Sequence, residues 1–279
     1  MKLFIGGVLL LICFIYYLFK ISYHDVSYNE INNMIEFKKY DDAIYYIDNK
    51  LKKYPDNGLL YYKKAEILFI QNKLDEANDY LDKSIDLGFP LTLSYNLKAI
   101  ICENKKDYDC QKNFAKKSIE IDPTDFEGYF ILAKAYFNSG EFEKAYENFK
   151  IAYDIENDDN FLLYMAKSLI EIKKYDESIN ILYNLDKKYP DNRDILFYLY
   201  KSYKKYGYYN NAIYLLDKLY SITGDAFYIK EKSKFLYEVG DYVSAFFELK
   251  KYLNNTKNQS NEDLSFYKLL FKKVSSCNK

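Results

Sequence analysis

The chain has 279 residues, 49% hydrophobic and 29% charged, which suffices for a large buried core. Its 40 basic and 41 acidic side chains leave a formal net charge of −1, so it is no polycation seeking nucleic acid. A single histidine, His24, and four cysteines without a CxxC pair argue against a zinc ribbon, a thioredoxin-type motif or a His-based triad, and no cofactor motif is present.

Taken from the N-terminus, the first predicted element is apolar. Leu3 to Phe19 carries no charge and is followed by Lys20. Its seventeen residues lie at the short end of what spans a hydrocarbon core as a helix. Tyr16 and Tyr17 suit an interface, and the Lys20 ammonium can reach headgroups. No small-residue cleavage site follows the run, and Cys13 lacks the small residue of a lipoprotein signal. The expectation is a single-pass signal anchor over 1–21, with the remaining chain outside the cytoplasm. A cleaved signal, releasing a secreted or periplasmic protein, is the alternative.

Beyond the apolar run the sequence is periodic. The hexapeptide KKYPDN occurs at Lys52–Asn57 and again at Lys187–Asn192. Pro55, Phe89 (with Pro90 beside it), Pro123, Asn157 and Pro190 fall on one lattice with steps of 34, 34, 34 and 33 residues. Periods of this size signal a helix–turn–helix solenoid. Repeats at 24–57, 58–91, 92–125, 126–158, 159–192, 193–225 and 226–258 bring other columns into line. Position 8 holds Ile31, Ala65, Ala99, Ala133, Ala166, Tyr200 and Ser233; position 20 holds Ala43, Ala77, Gln111, Ala145, Ser178, Ala212 and Ala245. Small side chains there let two antiparallel helices approach closely. Large residues at positions 17 and 24 fill the space between hairpins. Proline at position 32 ends the second helix. After the last repeat, NEDLSFYKLLFKKVSS is amphipathic and opens on a candidate Asn cap, giving a capping helix within 259–279.

The small columns, the aromatic column at 17 and the spaced prolines resemble the tetratricopeptide repeat (TPR) family over about 235 residues. The resemblance implies an all-α fold, an α-solenoid coiled as a right-handed superhelix of about seven repeats. It also implies a concave groove, lined by positions 2, 5, 9 and 12 of each first helix, that receives a protein or peptide. Pentatricopeptide repeats, which bind single-stranded RNA, fit less well, because of the prolines, the 33-residue steps and the net charge.

Position 9 reads Lys134, Lys167, Lys201 and Lys234 in four successive repeats. Around it, positions 5 and 12 supply Tyr62, Phe69, Phe130, Phe137, Phe197, Lys204 and Tyr237. The groove residues are therefore expected to be basic and aromatic and to suit an acidic partner segment. A solvated lysine face is the plainer reading of the same column. The family's carboxylate clamp, with Lys at 5 and Asn at 9, is absent. Cys102 and Cys110 flank the turn of repeat 3, where a disulfide or two partly buried thiols are both open. The expected function is a membrane-anchored, non-catalytic scaffold; self-association through exposed aromatics is the alternative.

Overall fold

A computed structural model describes residues 27–256 and 259–277. The fold class is all-α, an α-solenoid of consecutive packed helix pairs, with fifteen helices and no strand among the described residues. The chain divides at Ser139/Gly140 into two compact units, inside the turn of repeat 4. The first unit holds α1 (Tyr28–Glu36), α2 (Tyr40–Lys53), α3 (Gly58–Ile70), α4 (Leu74–Asp86), α5 (Leu91–Asn104), α6 (Tyr108–Ile121) and α7 (Phe126–Asn138). The second holds α8 (Phe142–Ile155), α9 (Asp159–Glu171), α10 (Tyr175–Lys188), α11 (Arg193–Tyr206), α12 (Tyr209–Thr223), α13 (Phe227–Glu238), α14 (Tyr242–Asn255) and α15 (Asn261–Cys277).

The packing columns are buried throughout. Every residue at positions 8, 20 and 24, from Ile31 to Leu249, is at most 1% exposed. The intruders at these columns each make a hydrogen bond, although Gln111 Oε1 is buried without a partner. The Tyr200 hydroxyl donates to Glu231 Oε1 at 2.9 Å. The Gln111 amide donates to the Ile131 carbonyl, and Ser178 to that of Ala166. Position 17 behaves differently: Tyr40, Leu74 and Phe142 are half-buried, and Tyr209 is exposed. Inter-hairpin packing therefore rests chiefly on position 24.

Each proline follows its helix instead of ending it directly. Tyr54, Asp122 and Tyr189, the residues before Pro55, Pro123 and Pro190, are C-caps already outside helical geometry. In both copies of KKYPDN the final asparagine starts the next helix. Asn57 accepts from the Leu60 N–H, and Asn192 from those of Asp194 and Ile195. In repeat 6, Gly224 replaces proline and closes α12 in the left-handed conformation. The terminal helix is capped by Ser260 and not by Asn261. Ser260 Oγ accepts from the Asp263 N–H, and the Asp263 carboxylate accepts from the Ser260 N–H, a reciprocal capping box.

No helix among the described residues is long and apolar enough to cross a membrane. The longest, α15, has 17 residues and is interrupted by charge. This overturns the expected single-pass anchor with an extracytoplasmic body. The segment 1–21 on which that expectation rests lies outside the described residues, as does His24.

Candidate functional site

The predicted groove residues lie on the first helices of the pairs, with different surroundings in each unit. In the first unit, Tyr62 and Phe69 pack half-buried against the Ala65/Leu81 core. Lys134 lies over the Phe130 ring and pairs with Glu103 at 2.8 Å, so its charge is already satisfied. Phe137 is half-buried on the same helix.

In the second unit, the repeat 7 face is covered by α15. Lys234 pairs with Glu262 at 3.3 Å, and Tyr237 meets Phe266 edge-to-face at 5.5 Å. Lys230 pairs with Asp263 at 2.5 Å. Lys204 is held by Glu238 at 2.8 Å. Two of the four position 9 lysines, Lys134 and Lys234, are thus satisfied cations, as is Lys204 at position 12.

Lys167 and Lys201 remain. Neither forms an ion pair among the described residues. The Lys167 ammonium lies 4.4 Å from the Tyr164 ring centroid and 4.5 Å from that of Tyr198. Lys201 lies 4.8 Å from Phe197 and 5.2 Å from the same Tyr198. Rings stabilise a cation only partly, and less than a carboxylate does. Burial holds Lys167 below the usual lysine range; Asp194 opposes that shift, and the neighbouring Lys201 charge adds to it. Burial also raises the Tyr198 hydroxyl, with Asp194 next in effect.

Beside these lysines is a cavity of about 490 Å³ floored by Ile170, Phe197, Tyr200 and Phe227. Phe197 touches Phe227 and Tyr228 at centroid distances of 6.5 and 6.4 Å, so the floor is a preassembled aromatic cluster. Lys173, Lys201, Lys204 and Lys205 line the same cavity, together with Glu171, Glu231 and Glu238. A second hollow of about 300 Å³ adjoins Lys167, Asp194 and Tyr198. Apolar walls with a few converging charges suit an amphipathic peptide side chain.

Tyr164 and Tyr198 escaped the sequence reading because both occupy position 6, outside the four groove columns. Aligning that column would have found them: among the seven repeats only repeats 5 and 6 place Tyr there. Cys102 and Cys110 form a disulfide joining the two helices of repeat 3, with Cα atoms 5.7 Å apart. No group of three or more His, Cys, Asp or Glu residues placed to hold a metal occurs among the described residues.

The family described as "Anaphase-promoting complex, cyclosome, subunit 3" matches residues 104–185. A TPR repeat-containing protein of Methanocaldococcus jannaschii is 27% identical over 223 residues, 79% of this chain and 35% of that protein. The chain therefore spans about a third of that relative's length. The C-terminal part of a TPR repeat-containing protein from Cytophaga hutchinsonii superposes with a TM-score of 0.68 at 12% identity, over 86% of this chain and 98% of that one. YrrB, described as a TPR protein with an unusual peptide-binding site, superposes with a TM-score of 0.50 at 14% identity, over 61% and 88%. At these identities the structural likenesses speak for the fold. Together with the lattice, the matches support the tetratricopeptide repeat family, whose fold suggests protein–protein interaction.

Proposed function

We propose that the chain is a non-catalytic scaffold whose second unit holds an acidic protein segment across α9, α11 and α13. The seven repeats set out above are its frame. The observation that carries this reading is the pair Lys167 and Lys201, half-buried on aromatic rings without a carboxylate partner among the described residues. A carboxylate arriving there relieves the burial cost of Lys167 and the repulsion between the two ammonium groups. The aromatic floor at Phe197 and Phe227 then covers an adjoining apolar side chain. The peptide-binding site of YrrB, a likeness of fold, is consistent with a peptide ligand.

Copurification from cells tests it. The full chain should recover a partner that Lys167→Glu/Lys201→Glu loses. Lys134→Glu/Lys234→Glu should retain it, because those lysines already hold Glu103 and Glu262. Retention by the first variant rejects the site.

A second reading, self-association, is favoured by one patch. Phe247 and Phe271 are 63% and 58% exposed and flank Phe246. Patches of this kind mark contact surfaces when they are contiguous. Sedimentation of the wild type against Phe247→Ser/Phe271→Ser decides it: a monomer at every concentration removes this reading.

A further inference from the structure

Buried polar side chains are unevenly shared among the repeats. Repeat 3 (92–125) holds five of the thirteen found among the described residues, Ser94, Asn96, Lys98, Gln111 and Ser118, and no other repeat holds more than two. Two of the five, Asn96 and Gln111, keep a buried oxygen without a hydrogen-bond partner. Water satisfies those atoms once the hairpin opens, so each favours opening. The apolar complement is reduced as well. Position 24 is Ala115 in repeat 3, where the other repeats carry Ile47, Leu81, Phe149, Leu182, Leu216 and Leu249. A single methyl there forgoes most of the burial that those side chains supply. The links to the adjoining repeats are partly polar: Ser94 meets Ser84 at 2.9 Å, Lys98 pairs with Asp82, and Gln111 donates to the Ile131 carbonyl at 3.2 Å. Such bonds contribute little net, because water replaces them. By packing alone, repeat 3 is the weakest hairpin of the first unit.

A covalent bond compensates. Cys102 of α5 and Cys110 of α6 are eight residues apart, on either side of the hairpin turn, and their disulfide ties the two helices together. It removes the opened hairpin from the ensemble of accessible states. Cys102 is 6% exposed and Cys110 is half-buried, so a reductant reaches the bond from the Cys110 side. Opening would uncover apolar surface on both neighbours. Leu97 and Ile101 pack with Leu68 and Leu81 of repeat 2, and Ala99 and Ala115 with Ile131 and Leu132 of repeat 4.

We propose that the Cys102–Cys110 disulfide is a redox latch: a dithiol reductant opens it in the folded chain, and repeat 3 then unfolds locally ahead of the repeats around it. One thiolate of the reductant attacks the Cys110 sulfur, and the Cys102 thiolate leaves. The second thiolate of the reductant closes its own disulfide and releases Cys110. The chain gains two electrons and two protons, ending as two thiols, and the dithiol is oxidised to a cyclic disulfide. The latch lies within the first unit and uses neither Lys167 nor Lys201, so its failure leaves the reading of the second unit untouched.

Native-state hydrogen exchange read by mass spectrometry tests it on the full chain, with and without dithiothreitol. Peptides from α5 and α6 should exchange at least roughly tenfold faster after reduction, the scale of freeing a short covalent loop. Peptides from α10 and α12 should change by less than roughly twofold. Iodoacetamide labelling of the folded chain should find both thiols freed by the reductant. The variant Cys102→Ala/Cys110→Ser should exchange like the reduced chain and ignore dithiothreitol; the wild-type comparison stands without it if that variant does not fold. Thiols that stay unlabelled, exchange unchanged by reduction, or equal acceleration in α10 and α12 each overturn the proposal.

Discussion

The two units share buried columns and differ on their first-helix faces. Ala65, Ala77 and Leu81 in one, and Ala166, Ala212 and Leu182 in the other, are equally inaccessible. Yet the position 9 lysine of the first unit is matched by Glu103, whereas Lys167 and Lys201 of the second have no carboxylate within ion-pair range among the described residues. Close packing constrains the columns in both units to a narrow range of volumes. The face has no such constraint, so its charge is free to follow a ligand. Half-buried lysines without carboxylates are costly to keep, and that cost makes position 9 of repeats 5 and 6 informative.

A further difference concerns how neighbouring repeats are registered. Lys64 pairs with Asp48, Lys98 with Asp82, and Lys232 with Asp217, at 2.6, 2.6 and 2.7 Å. Each joins position 7 of one repeat to position 25 of the repeat before. Where position 25 is Lys116, Lys150 or Tyr183, position 7 is Leu132, Met165 or Leu199. The chain thus uses either a lysine–aspartate pair or an apolar plug at the same junction.

The largest expected effect tests whether the two cores are equivalent. Leu81→Ala and Leu182→Ala should each cost about 3 kcal/mol in urea unfolding, since both side chains are fully buried. A loss confined to one variant breaks the equivalence. At the repeat junction, Lys98→Met should cost about 1 kcal/mol, because Asp82 is exposed enough to solvate once unpaired. The double variant Asp82→Lys/Lys98→Met copies the Lys150–Met165 pair and should recover part of that loss.

A smaller gain is expected at the hairpin turns. Position 15 is left-handed in all seven repeats: Lys38, Asn72, Lys106, Gly140, Lys173, Gly207 and Gly240. Glycine relieves the Cβ clash there, so Lys106→Gly and Lys173→Gly should each stabilise by about 0.5 kcal/mol in thermal melts. The most local effect is at α15. Burial alone would raise Asp263, but Lys230 and Ser260 more than offset it and hold its carboxyl below the usual range. A carboxyl lowered on folding adds stability above its unfolded pKa, which is lost as pH falls through the folded value. Asp263→Asn should therefore flatten the loss of α15 helicity below about pH 4, the ordinary aspartate range.

The lattice was legible because packing at 34-residue intervals is a local repetition, visible in Ala43, Ala77 and Ala145 without knowing any contact. The left-handed column was obscured by lysine at three of its seven positions, where glycine would have announced it. The position 7 to 25 pairs lie in different columns of adjacent repeats and appear only when the second helix of one repeat packs on the first of the next. The same long-range placement took Lys234 out of the strip: nothing local to it predicts that Glu262 of the terminal helix arrives there. Tyr164 and Tyr198 were hidden by a choice of columns, and Ser260 by its place one residue before the expected cap.

The central claim is that Lys167 and Lys201 select a partner by charge, and a charge-swap titration tests it most directly. A fluorescein-labelled heptapeptide alternating Glu with Leu should bind the wild-type chain and lose roughly tenfold in affinity for Lys167→Glu/Lys201→Glu, while one with Lys and Arg in place of Glu gains affinity for that variant. Unchanged affinities for both peptides would contradict the account and leave the two lysines as solvated surface.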